Sequence, residues 1–198
     1  TAGSTFLLLI PVRWFHARAT AKALIAAGGS VGLMLSPVTV NLVQRWRWRA
    51  SDGASRLFAL GAVSCAIIAI FPYMPVFVFA SIVAMTTTSA AIPLMTQIYQ
   101  DNYPADQRGR LYSRAFMLRI AATILFGGFA GQLLTVRLEL FRWLIVVFGV
   151  AFVVASWALR RIPSQPLHHP GGSHPLHAMR YVREDRMFRQ TLIVWMLM

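Results

Sequence analysis

Long apolar stretches separated by short, arginine-bearing connections set the rhythm of this chain. A bilayer core of about 30 Å needs roughly 20 apolar residues as a helix, because each residue rises about 1.5 Å. Ala23–Val43 fits one crossing, interrupted only by small and hydroxyl residues. Leu57–Gln100 runs for 44 residues without a charge, about twice what one crossing needs. Phe71-Pro-Tyr-Met-Pro75 divides it, since proline ends one helix and opens the next; crossings are expected near 57–72 and 75–98. Ala115–Val136 and Trp143–Leu159 give two more. Thr5–Val12 reads as the tail of a first span, and Thr191–Met198 as the start of a seventh. None of these runs alternates in polarity as strands of a membrane barrel would. The expectation is an all-α, polytopic helical bundle, cut from a longer protein.

Composition sharpens this. Hydrophobic residues make up 57% of the 198 and charged residues only 13%, where a soluble domain averages about 25% charged. Such a chain can neither cover a water-facing surface nor stay disordered. One cysteine, Cys65, excludes a disulfide scaffold. The net charge of +13 raises nucleic acid as a partner, but the basic residues form no single patch, so none is expected. Connections 45–56, 101–114 and 160–190 carry four, three and six Lys or Arg, and 11–22, 73–74 and 137–142 carry three, none and two. The sets alternate along the chain, which assigns the richer one to the cytoplasm. Arg45-Trp-Arg-Trp-Arg49 then falls at the inner interface, where indoles anchor and guanidiniums meet anionic headgroups.

Several of these features together resemble the N-terminal half of a major facilitator superfamily (MFS) transporter. They are a nearly loopless third-to-fourth pair, the connection Tyr103-Pro-Ala-Asp-Gln-Arg-Gly-Arg110, Gly127-Gly128-Phe-Ala-Gly131 in the fifth span, a sixth span opening Phe141-Arg-Trp143, and Arg183-Glu-Asp-Arg-Met-Phe-Arg189 before a seventh. The family's connection between spans two and three reads close to Gly-x-x-x-Asp-x-x-Gly-Arg-Arg. Here the matching stretch is Pro37-Val-Thr-Val-Asn41-Leu-Val-Gln44-Arg45-Trp46, with Asn41 in the acidic position and Arg45 retained. The resemblance implies a six-helix bundle over 1–160, a cytoplasmic linker over 161–190 and the start of span seven over 191–198. It also implies a C-terminal half as partner, three-plus-three inverted repeats in each half, and a bacterial inner membrane as location.

In that fold spans one, two, four and five face the substrate path. Polar residues fall on them: Ser30 in span two, Thr86, Thr87, Ser89 and Thr96 in span four, and Arg119 in span five. These six are the candidate cavity residues, although hydroxyls also serve as ordinary interhelical contacts. Arg119 is the one charge inside a complete span, which makes it a functional candidate. It is near enough to Arg114, about 7 Å along the axis, to snorkel to the interface instead. Asn41, Arg45, Arg108, Gly109 and Arg110 are candidates for a cytoplasmic gate, the arginines being equally readable as topology signals. Asp106 and Arg110 could pair at i,i+4 if their connection is helical. Gly28, Gly32, Gly127 and Gly131 are expected to permit close helix packing.

All six acidic residues lie in connections, so no complete span offers the membrane-held carboxylate common in proton coupling. His168, His169, His174 and His177 lie in a Pro/Gly-rich stretch that implies no fixed ligand geometry; neither metal nor cofactor is expected. The function expected is secondary transport of a small solute by alternating access. The rivals are a transporter-like sensor or scaffold, and a membrane-embedded transferase. The latter needs a base–nucleophile cluster that the sequence does not display, so no enzyme is expected.

Overall fold

Hydropathy and the prolines of Phe71–Pro75 set the expected helix ends; each span overruns its apolar run at one end or both, although the helix that begins at Ala50 stops at Ile70, short of residue 72. The computed structural model describes residue 10 and residues 19–71, 73–136 and 140–166. The helices are α1 (Ala19–Arg45), α2 (Ala50–Ile70), α3 (Met74–Ala90), α4 (Ile92–Asn102), α5 (Arg108–Val136) and α6 (Phe141–Arg161). The described residues contain no strand. Among the described residues, with α3 and α4 counted as one, five helices are long and apolar enough to cross a membrane, as suits an integral membrane protein.

α5 begins at Arg108 rather than Ala115, and α2 is displaced equally far, beginning at Ala50 rather than Leu57. Its polar first two turns are held by packing. Ala50, Ser51, Gly53, Ala54 and Ser55 are all buried. Ser55 Oγ donates to the Ser156 carbonyl at 2.8 Å and Ser156 Oγ returns the bond to the Ser55 carbonyl at 2.9 Å. Span four is likewise two helices rather than one, meeting at Ala91 with Pro93 in the first turn of α4, where its missing N–H costs least. The Ala91 N–H still donates to the Thr87 carbonyl at 3.1 Å, whereas the Ser89 carbonyl, which an uninterrupted helix would pair with residue 93, loses that donor to proline. Pro37 inside α1 frees the Leu33 carbonyl in the same way, and Ser36 Oγ satisfies it at 2.7 Å.

Two close seams organise the bundle. In the first, α2 lies on α6 through the serine pair and the Phe58–Phe152 contact, centroids 5.8 Å apart. In the second, α1 lies on α3, and a Cβ on Gly32 would come within 2.4 Å of the Thr86 carbonyl. Two buried cores follow. One gathers Ile10, Ile25, Ile68, Phe77, Leu134 and Phe141, with every helix but α4 contributing. The other, toward the opposite end, gathers Val43, Ala54, Leu94, Ile98 and Leu159 from α1, α2, α4 and α6. α5 supplies no residue to that second core.

The second core marks the arginine-rich end. Arg49 pairs with Pro166 in an isolated bridge, Ser164 Oγ accepts the Ser51 N–H at 3.2 Å, and Asn102 Nδ2 donates to the Pro163 carbonyl at 3.0 Å. Arg108 at the start of α5 donates to the Gln100 carbonyl at the end of α4. The described parts of connections 45–56, 101–114 and 160–190 are therefore gathered at one end of the bundle.

Candidate functional site

Along the α1–α3 seam, glycine brings the two backbones close enough for side chains of one helix to reach carbonyls of the other. Thr86 Oγ1 donates to the Gly28 carbonyl at 3.1 Å, and Ser89 packs against Gly32. Thr39 Oγ1 reaches the Ala90 carbonyl at 3.3 Å, beside the α3–α4 break. Thr86 and Ser89 thus share one seam with Gly28 and Gly32. Thr87 takes another direction: it is buried, bonds the Ala84 carbonyl at 2.9 Å and faces Gly61 of α2. Ser30 is exposed on α1. Thr96, one turn beyond Ile92, is exposed and returns its hydroxyl to the Ile92 carbonyl at 3.0 Å.

Arg119 lies on the part of α5 outside both cores and is exposed. Tyr99 of α4 is within its electrostatic reach. Tyr99 belongs to an aromatic column that bridges α4 and α5. It stacks on Tyr103 at 5.5 Å, meets Tyr112 edge-on at 5.5 Å, and Tyr112 stacks on Phe116 at 6.2 Å. An arginine near an aromatic column on an exposed helix face can hold an anionic or π-bearing solute. Glycines on the same helix are open too: a Cβ at Gly127 or Gly131 meets nothing within 4 Å.

The candidate gate residues lie at the arginine-rich end. Asn41 is half-buried and Arg45 exposed at the close of α1. Arg108 closes the α4–α5 turn, its Nη2 donating to the carbonyls of Gln100 at 2.9 Å and Tyr103 at 3.4 Å. Its buried Nε has no partner among the described residues. Gly109 is exposed. Arg110 bonds Gln107 Oε1 at 3.4 Å rather than Asp106, because Asp106 lies in the turn before α5 and lacks the helical register that i,i+4 pairing requires.

Two sets of polar residues escaped the sequence reading. Ser55 on α2 meets Ser156 and Arg160 on α6, and Ser51, one turn earlier, meets Ser164 just past α6; the i,i+4 spacing of Ser51 with Ser55 and of Ser156 with Arg160 was the available signal. Tyr99 and Tyr103, also i,i+4, were the signal for the aromatic column. Among the described residues no group of three His, Cys, Asp or Glu could hold a metal ion. The tract His168–His177, Glu139 and the two partial spans, apart from Ile10, lie outside the described residues. Comparison with known proteins found no matching family model, no matching curated protein and no matching solved structure.

Proposed function

We propose that the chain is the N-terminal six-helix half of an MFS-type secondary transporter, moving a small solute by alternating access. The arginine-rich end would face the cytoplasm of a bacterial inner membrane. The uneven packing of the spans carries this reading. The most apolar window of α2 is 44% buried and that of the α3–α4 span 39%, whereas α6, α1 and α5 reach only 22%, 17% and 11%, and of these three α1 and α5 carry the exposed Ser30 and Arg119. A self-sufficient bundle has lipid to cover its apolar faces, but no reason to turn the polar groups of two spans outward. A half-transporter does, because those faces border the solute path and the second half of the molecule. Ser30 and Arg119 are on the uncovered spans, and the broken α3–α4 span lies against α1. Irregular backbone at such depth is tolerated where it borders protein or an aqueous path.

Flux of labelled sugars, organic acids and amphipathic drugs into proteoliposomes holding the whole protein tests this proposal. Saturable uptake of one class is expected. Solute binding without any flux would overturn transport in favour of a sensor. If Arg119 contacts an anionic solute, Arg119→Ala should lower uptake about tenfold or more, as expected for losing a charge-assisted contact, while Arg119→Lys retains most of it. Equal uptake by wild type and Arg119→Ala would remove that role.

A further inference from the structure

Two arginines near the arginine-rich end are held in the same unusual way. The Arg56 guanidinium lies 3.3 Å from the centroid of the Trp48 ring, and Arg161 lies 3.7 Å from that of Trp157. Neither makes a hydrogen bond or an ion pair among the described residues. A guanidinium lying on an indole has one face covered and its in-plane N–H donors unspent, the presentation that suits a phosphate or carboxylate. Trp48 is itself packed against the second core and in tilted contact with Trp46, centroids 4.4 Å apart and planes at 48°. Arg47, in the left-handed region at φ 52°, makes the turn that carries the chain between these two indoles.

What lies along the helix beside each platform identifies the rest of the ligand. From Arg56, exposed Leu60, Val63 and Ile67 follow at steps of four, three and four along α2. From Arg161, exposed Trp157, Val154 and Val150 follow at the same steps along α6. That spacing places each set on one face of its helix, so each cation stands at the head of an apolar stripe pointing into the apolar span. The neighbouring connection adds Arg45, Arg47 and Arg49, all exposed, against a single carboxylate, Asp52.

We propose that Arg56–Trp48 and Arg161–Trp157 are two binding platforms for anionic glycerophospholipids. Each guanidinium takes the lipid phosphate, and an acyl chain lies along the apolar stripe beneath it. The charge argues for a lipid with a net negative headgroup, and the stripe for a ligand with a chain, which together exclude a free anion. The inference rests on the membrane-spanning character of α2 and α6, and holds whether or not the protein transports.

Native mass spectrometry of the purified protein, titrated with phosphatidylglycerol or phosphatidylcholine of matched chains, tests it. Wild type should retain two phosphatidylglycerol molecules in preference to phosphatidylcholine. Arg56→Gln and Arg161→Gln should each weaken one site about fivefold, the usual effect of one basic residue at a membrane surface. The double variant should lose the preference, and Arg142→Gln, at the opposite end, should leave it intact. Both arginines are exposed, so these variants fold. Equal retention of the two lipids by wild type, or undiminished preference in the double variant, would overturn the proposal. Inorganic phosphate displacing phosphatidylglycerol at equal concentration would overturn the assignment to a lipid.

Discussion

At the scale of single residues, the glycines separate into two kinds that their sequence spacing made look alike. Gly28 and Gly32 on α1, and Gly127 and Gly131 on α5, are both Gly-x-x-x-Gly pairs. Only the first pair has backbone against it. A Cβ at Gly32 would sit 2.4 Å from the Thr86 carbonyl oxygen and 2.9 Å from its Cα, neither of which can rotate away. Gly32→Ala is therefore expected to destabilise the α1–α3 seam by about 1–3 kcal/mol, the usual cost of overpacking. Gly127→Ala has open space and should be neutral, or gain up to about 1 kcal/mol from helix propensity. Thermal unfolding in detergent distinguishes them, and an equal loss for both variants would contradict the packing described. The hydroxyls divide by the same rule. Sequence placed Thr86, Thr87 and Ser89 on one span, but a run of consecutive residues winds around the helix, so Thr87 faces α2 while Thr86 and Ser89 face α1.

At the scale of elements, apolar length located each span but not its ends. The central stretches of all five were legible, because lipid-compatible helices need about 20 apolar residues and nothing else in the chain supplies them. The start of α2 was not, because Ser51 and Ser55 are kept in the helix by partners 113 and 101 residues away, Ser164 and Ser156. Removing one side of that contact should be measurable. Ser55→Ala is expected to cost about 1 kcal/mol, as for an interhelical hydrogen bond within a membrane protein. The Ser55→Ala/Ser156→Ala double variant should cost less than the two singles combined, since they share a single network. Strict additivity would show that the pair contributes nothing. Arg108 acts similarly at the next turn, where it satisfies two carbonyls at the close of α4. Arg108→Ala should lower stability by about 1–3 kcal/mol, with Arg108→Lys recovering only part, since an ammonium lacks the guanidinium fork.

At the scale of the whole molecule, the strongest signal in the sequence is the alternation of its arginines. Charge counting grouped connections 45–56, 101–114 and 160–190, and contacts that no local pattern encodes join their described parts: Arg49 with Pro166, Ser51 with Ser164, Asn102 with Pro163. The aromatic column between α4 and α5 could not be foreseen in the same way, because it depends on how two helices meet across a turn. Arg47 and Arg142 are exposed near opposite ends of the bundle, and the lone cysteine, Cys65, is buried, so a cysteine introduced at either position can be labelled selectively. In oriented membrane vesicles holding the whole protein, Arg47→Cys and Arg142→Cys should react with a membrane-impermeant maleimide from opposite compartments, Arg47→Cys from the cytoplasmic one. Labelling of both from the same compartment would contradict the alternating crossings on which the fold and the proposed function rest.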